Sequence, residues 1–249
     1  MSNARERLSA LRAELTKRGL TGFVIPLTDE HMSEYVGDYA KRLHWLTGFS
    51  GSAGSAVVLE DSAAVFVDGR YTLQVRAQVD GSLYEYQSTL ETSPTQWLGE
   101  RVGAGQKIGF DPWYHTRAWV EATRRTLEKK GAALVEVDSN PVDAVWTDQP
   151  SPSLAPIQLH DITYTGVSLE EKLAATGQAI ASAGADVAVI AALDSVAWLL
   201  NIRGTDVTCT PVPRAFALAF ADGRAELFTE PEKVTPALAE ALNGSVTIL

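Results

Sequence analysis

The chain has 249 residues, of which 45% are hydrophobic, 21% charged and 8% aromatic, with a formal net charge of −10. That balance excludes a disordered chain, and the acidic excess repels phosphate backbones, so no nucleic-acid partner is expected. At roughly 100–200 residues per domain, the length admits two domains, or one and a fragment of another.

The single cysteine, Cys209, excludes an intramolecular disulfide framework and fits a reducing compartment. Charges recur from Arg5 to Arg18 without an apolar run, which is not the pattern of a secretory signal. The most apolar segment, Val187 to Leu200, is too short to span a bilayer and holds Asp194. A cytoplasmic protein without a membrane partner is expected.

The first predicted element is an amphipathic helix with Leu8, Leu11 and Leu15 on one face, stopped at Gly19. Phe23-Val24-Ile25, closed by Pro26, reads as a buried strand. Ser55 to Leu59 and Ala63 to Val67 flank Glu60-Asp61-Ser62 as a hairpin. A helix is expected over Arg70 to Val79, with Leu73 and Val75 to Val79 forming a rough apolar stripe, then strands at Leu83 to Gln87 and Lys107 to Phe110. A helix from His115 to Lys130 ends at Gly131, a strand covers Ala133 to Val137, and Asn140-Pro141 opens a short helix. Interleaved strands and helices predict a layered α/β domain.

Gln149 to Pro156 holds three prolines and two serines, the composition of a linker. Beyond it the opening plan recurs. A helix from Ser168 to Ala183 ends at Gly184 and leads into the strand Val187 to Ile190, as Leu8 to Ile25 did. Trp198 to Gly204 echoes Trp45 to Gly51, and each is followed by a strand, an acidic turn and another strand. A duplicated domain is therefore expected. The first copy's plan requires another helix and two or three strands after Asp222-Gly223. The chain supplies one helix near Pro236 to Leu242 and a strand-like run at Val246 to Leu249, so the second copy is expected to be incomplete, cut within its fold. The expected domains are 1–150, a linker at 151–158, and 159–249.

No complete catalytic constellation is visible. His31, His44, His115 and His160 lack the spacing of a helical zinc site, and no cysteine pair exists. Gly48 to Gly54 fails the Gly-x-Ser-x-Gly nucleophile-elbow pattern because Ser52 occupies its last position. It reads either as a phosphate cradle or as a tight loop where small residues allow close packing. Asp29 to Tyr35 follows an apolar strand, where α/β sheets expose functional loops; the stretch reads either as a ligand site with Glu34 and Tyr35 as its hydrogen-bonding groups, or as a helix capped by Thr28 or Asp29. Asp68-Gly69-Arg70-Tyr71 also follows a strand. Arg70, oriented by Asp68, fits a bidentate anchor for carboxylate or carbonyl groups, or else a helix-start ion pair.

Taken in order, these clusters resemble the N-terminal region of three-domain aminopeptidase P, of the creatinase/prolidase-like metallopeptidases. The resemblance rests on Ile25-Pro26, Asp29-x-His31-x-Ser33-Glu34-Tyr35, Arg42, Leu46 to Gly54, Asp68 to Tyr71, Pro94-Thr95, Gly109-x-Asp111-Pro112, Val145 to Asp148, Tyr164 to Gly166, Leu193 to Gly204 and Pro211-Val212. It implies two creatinase N-terminal-like α/β domains, each a mixed β-sheet flanked by helices, ahead of a catalytic domain that holds two manganese or other divalent ions. A metal-bridging hydroxide there attacks the bond before proline. None of those ligands can be placed here, so no metal or other cofactor is expected in this chain, nor any catalytic residue, and the chain should be inactive alone. The resemblance also implies that Arg70 contributes to substrate contacts, with Asp68, His31, Glu34 and Tyr35 as its neighbours. The implied partners are short peptides with proline in second position, and the implied parent is a homodimer. A second reading stands beside this one: a free-standing binding or dimerisation module without peptidase activity.

Overall fold

In the computed structural model, residues 4–249 are described; Met1 to Asn3, the start of the predicted signal-free terminus, lie outside them. Internal contacts divide the chain into two units: residues 1–34 with 39–150, and residues 35–38 with 151–249.

In unit 1, Leu8, Leu11 and Leu15 form the buried stripe of α1 (Ala4–Lys17), which ends before Gly19 at a φ of +68°. Chain order continues through β1 (Gly22–Pro26), α2 (Arg42–Thr47), β2 (Gly54–Leu59), β3 (Ala63–Val67), α3 (Thr72–Gln78), β4 (Glu85–Ser88), α4 (Pro94–Arg101), β5 (Lys107–Phe110), α5 (Arg117–Glu128), β6 (Ala133–Glu136) and α6 (Pro141–Val145). The six strands make one mixed sheet, ordered β4-β3-β2-β1-β5-β6. β2 is antiparallel to both its neighbours, β1 and β3, whereas β4, β5 and β6 join in parallel.

Alternation divides the side chains between two faces. Phe23, Ile25, Ala56, Val58 and Val65 pack with the leucines of α1, Leu43 and Leu46 of α2, and Val75 of α3. Val24, Val57, Leu59, Ala64 and Phe66 pack with Trp97 and Leu98 of α4 and Leu127 of α5. Each fully buried large apolar side chain contributes about 1.5–3 kcal/mol relative to an exposed one, and Phe23, Phe66 and Trp97 belong to that set.

Local chemistry sets several boundaries. Ser93, Thr116 and Asn140 cap α4, α5 and α6 through side chains that accept backbone N–H groups. The helix expected from His115 therefore starts at Arg117, after its Thr116 cap. The helix expected from Arg70 starts at Thr72, because Asp68 first caps a 3₁₀ turn at Gly69–Tyr71. Leu73, assigned to the apolar stripe, is exposed; Val75 is the buried residue of α3.

Unit 2 contains β7 (Gln158–Leu159), α7 (Ile162–Thr165), α8 (Leu169–Ser182), β8 (Val187–Ile190), α9 (Leu193–Leu199), β9 (Ile202–Arg203), β10 (Phe216–Phe220), β11 (Ala225–Phe228), α10 (Pro236–Leu242) and β12 (Val246–Ile248). Ser168 and Glu171 form a reciprocal capping box at the start of α8. The main sheet is ordered β12-β11-β10-β8, and β7 with β9 forms a separate ribbon. β8–β10 and β10–β11 are antiparallel and β11–β12 is parallel. Strand order and directions thus repeat those of β4-β3-β2-β1, with α8 on the counterpart of the α1 face. The fold is a duplicated mixed α/β architecture. Counterparts of β5 and β6 do not occur among the described residues of unit 2.

Candidate functional site

The carboxylate of Asp68 accepts the backbone N–H of Arg70 at 2.9 Å, which closes the turn that ends β3. The same carboxylate accepts the guanidinium, from Nη2 at 2.8 Å and Nε at 3.1 Å. A side chain with four rotatable bonds is thereby held both at its backbone and at its guanidinium. Hydrogen bonding to Arg70 holds the Asp68 carboxyl below the usual carboxylate range, and the same pairing raises the arginine.

Arg70 Nη1 lies 4.0 Å from Glu34 Oε1, at the end of the loop that follows β1. Ser52 joins this group from the glycine-rich loop before β2: its hydroxyl donates to Glu34 Oε1 at 2.7 Å and lies 2.8 Å from the Tyr71 hydroxyl. Ser52 has one proton to give, and the carboxylate can only accept it. The Tyr71 hydroxyl is therefore the donor to Ser52. Tyr71 in turn meets Phe49 edge to face, with ring centroids 5.6 Å apart.

The glycines of this loop make room for the rings. A Cβ at Gly51 would stand 2.4 Å from Phe49 Cζ and 2.7 Å from Tyr71 Cδ1, and one at Gly54 would stand 2.9 Å from Phe49 Cε1. Of the two readings of Gly48 to Gly54, the geometry supports close packing.

Asp68, Arg70 and Glu34 are thus brought together, and Ser52 and Tyr71 complete the cluster. His31 is placed elsewhere. Asp29 Oδ1 accepts the N–H groups of His31 and Ser33, each at 3.0 Å, and folds this stretch into a buried turn where a capped helix was one expectation. His31 Nε2 lies 3.9 Å from Glu30, whose carboxylate accepts the Tyr39 hydroxyl at 2.7 Å. Tyr35 is exposed, in the short segment that groups with unit 2.

The Arg70 cluster is solvent-exposed and carries one cation between two carboxylates, with Nη1 directed past Asp68. A guanidinium N–H not taken up by Asp68 can donate to a carbonyl or carboxylate oxygen. Among the described residues, no group of three or more His, Cys, Asp or Glu side chains could hold a metal ion. No described helix is long and apolar enough to cross a membrane. Ser52 was absent from the predicted site; the one sequence signal for it was its position between Gly51 and Gly54, in a loop that has to pack tightly.

Comparison with known proteins places this architecture. A family model described as the creatinase/prolidase N-terminal domain matches residues 7–145, and a second of the same description matches residues 148–249. The chain belongs to the creatinase/prolidase N-terminal domain family, with two such domains in tandem. A probable Xaa-Pro aminopeptidase P of Aspergillus niger is 35% identical over 246 residues, covering 98% of this chain and 40% of the relative. Aminopeptidase P2 of Arabidopsis thaliana is 34% identical, covering 96% of this chain and 34% of its own length. Among solved structures, the X-prolyl aminopeptidase of Caenorhabditis elegans, described as a cytosolic enzyme with a di-nuclear active site, superposes with a TM-score of 0.92 at 29% identity. That match covers all of this chain and 42% of the nematode chain. The chain therefore spans about 40% of the length of such relatives.

Proposed function

We propose that this chain is the non-catalytic N-terminal portion of a metal-dependent Xaa-Pro aminopeptidase, which removes the first residue from peptides with proline in second position. The supporting observation is that enzymes of that name match this chain nearly end to end while extending well beyond it. The parent would be cytoplasmic and homodimeric, and two manganese or other divalent ions would be held by its catalytic region. The described residues of this chain offer no cluster that fits such ions, so no step of the metal chemistry is assigned to them.

In this reading the first domain helps shape the entrance to the catalytic cleft. Arg70 would supply an N–H fork to a substrate carbonyl or carboxylate, and Asp68 would hold that fork in place. Glu34, through Ser52, would limit how far the guanidinium can swing. Interactions of this kind position substrate ahead of the reacting bond and contribute by restricting its orientation.

The experiment is to join the chain to the catalytic region of a family member and measure Xaa-Pro peptide cleavage. Arg70→Ala is expected to raise KM by about tenfold, the equivalent of one charge-assisted hydrogen bond lost. Unchanged kinetics would remove Arg70 from the substrate-binding role. Activity of the isolated 249 residues that survives chelation would overturn the reading as a whole.

A further inference from the structure

Asparagine followed by glycine is open to a spontaneous main-chain rearrangement, because glycine's unhindered N–H can approach the side chain before it. The chain has one such pair, Asn243-Gly244, and three Asp-Gly pairs, at Asp68, Asp80 and Asp222. Each of the three aspartates accepts the backbone N–H of the residue two places on: Arg70 at 2.9 Å, Ser82 at 2.8 Å and Arg224 at 3.1 Å. Hydrogen bonding from these residues holds all three carboxyls below the usual carboxylate range. An ionised carboxylate fixed in this way is a poor target for a nucleophile.

Asn243 meets the opposite conditions. It is exposed, directly after α10, and among the described residues nothing hydrogen-bonds its side-chain amide. Gly244 stands at a φ of +92°, and a Cβ there would meet nothing within 4 Å. Side chain and peptide therefore have room to turn towards each other. The other described asparagines lack this freedom. Asn140 is buried and precedes Pro141, which has no N–H. Asn201 is held at both ends: Nδ2 donates to the Val167 carbonyl oxygen at 2.9 Å, and Oδ1 accepts Lys172 Nζ at 2.6 Å.

We propose that Asn243-Gly244 is a site of spontaneous deamidation, with water as the reagent. The Gly244 nitrogen bonds to Asn243 Cγ, and the Cγ–Nδ2 bond breaks. The Gly244 proton passes through solvent base to the departing Nδ2, which leaves as ammonia. Water then opens the cyclic imide. Opening at Cγ gives aspartate; opening at the main-chain carbonyl carbon gives isoaspartate, whose main chain runs through the former side chain. Both products place a negative charge at the C-terminal end of α10, where the helix dipole disfavours it. Isoaspartate also adds a methylene to the three-residue link between two buried anchors, Leu242 and Val246. That link seats β12 on β11, where Ala225 N–H donates to the Ser245 carbonyl oxygen at 3.1 Å and Val246 lies opposite Ala225. The modification thus marks aged molecules and loosens β12.

The test incubates the folded 249-residue chain at mildly alkaline pH beside a free peptide spanning Ala239 to Ile248. Mass spectrometry of a digest follows the fragment that holds Asn243. Its gain of an amide-to-acid mass is expected at no less than about one-tenth of the peptide's rate, since opening a frayed helix end costs little. An isoaspartate carboxyl methyltransferase is expected to label the aged chain and not aged Asn243→Gln. The β12 amides of the labelled chain are expected to exchange about tenfold faster than in fresh protein. In Asn243→Asp, which has the charge without the longer main chain, they should stay near the fresh rate. An unchanged fragment after the free peptide has converted would overturn the proposal, as would deamidation that falls on Asn140 or Asn201 instead. Equal β12 exchange in the labelled and fresh chains would overturn the loosening.

Discussion

The guanidinium of Arg42 meets the carboxylate of Asp143 in two parallel hydrogen bonds, Nε to Oδ1 at 2.7 Å and Nη2 to Oδ2 at 2.8 Å. The pair ties the start of α2 to α6, and Gln149 donates to the same Oδ1 at 2.9 Å. The Arg42 side chain is 7% exposed and that of Asp143 32%. Removing the acid leaves a buried cation without its bidentate partner, although water can reach part of the gap. Asp143→Ala is therefore expected to destabilise unit 1 by about 2 kcal/mol, below the full cost of breaking a buried pair. Arg42→Met, which leaves the more exposed carboxylate, should cost less. Urea unfolding followed through the stacked Trp45–Trp146 pair reads both; equal losses would contradict the asymmetry.

Gly51 and Gly69 offer a paired test of the candidate site. A methyl group at Gly51 collides with Phe49 and Tyr71, whereas nothing lies within 4 Å of one at Gly69. Gly51→Ala is expected to destabilise unit 1 by about 1–3 kcal/mol, in the range of overpacking, and to displace Tyr71 from Ser52. Gly69→Ala should stay within about 0.5 kcal/mol of the parent. Thermal melts decide the stability claim, and a similar melting point for the two variants would count against it.

His115 gives a pH dependence of definite sign. Its Nδ1 is 3.0 Å from the Asp111 carbonyl oxygen and so donates to it; Nε2 is buried without a hydrogen-bond partner, and the ring lies 4.0 Å from that of Trp119. Burial lowers its pKa to about 4. The folded state thus holds the ring neutral where the unfolded chain, with a pKa near 6.5, already binds a proton. Stability is complete above about pH 6.5 and falls as the pH drops toward about 4, by at most about 3 kcal/mol at 1.36 kcal/mol per pH unit. In His115→Gln this part of the decline should vanish. Denaturation midpoints between pH 7 and pH 4 measure it, and parallel curves for the two proteins would refute the assignment.

In unit 2, the fully buried Lys233 ammonium donates to the Asp206 carboxylate and to the Arg214 carbonyl oxygen, the latter at 3.2 Å. Burial pushes the pKa of Lys233 down, against the attraction of Asp206. Asp206→Ala strands this cation and is expected to cost about 3–5 kcal/mol, while the double variant Asp206→Ala/Lys233→Met should regain most of the loss. A double-mutant cycle in urea gives the coupling directly. A double variant as unstable as the single would show that Lys233 is not the source of the penalty.

What was legible in the sequence depended on how far apart the cooperating residues lie. Leu8, Leu11 and Leu15 share a helix face through spacing alone, and Asn140-Pro141 caps and starts α6 within three residues. The repeat of α1–β1 in α8–β8 was visible for the same reason. The Arg70 cluster was legible only in part. Asp68 and Arg70 are local, but Ser52 reaches Glu34 and Tyr71 across 18 and 19 residues, and no periodicity records such a contact. His31 belonged to the right motif, yet the Asp29 carboxylate turned it into a separate buried turn. Val189 was apolar and in a strand, but apolarity does not say whether a covering layer is present.

The pairing pattern of the first sheet also orders its assembly in time. β1, β2 and β3 are successive in the chain, with tight registers such as Ala63 opposite Val58. β5 joins the same β1 only through Gly22 opposite Ile108 and Phe23 opposite Gly109, across a chain closure of more than eighty residues. The closure entropy of so long a loop has to be met before those contacts stabilise anything. The three-stranded meander is thus expected to form first, and pulse-labelled exchange should protect Val57 and Val65 before Ile108. The apolar face that later receives α4 stands open in that interval, which makes the late arrival of β5 the moment when a nascent chain is most exposed to wrong partners.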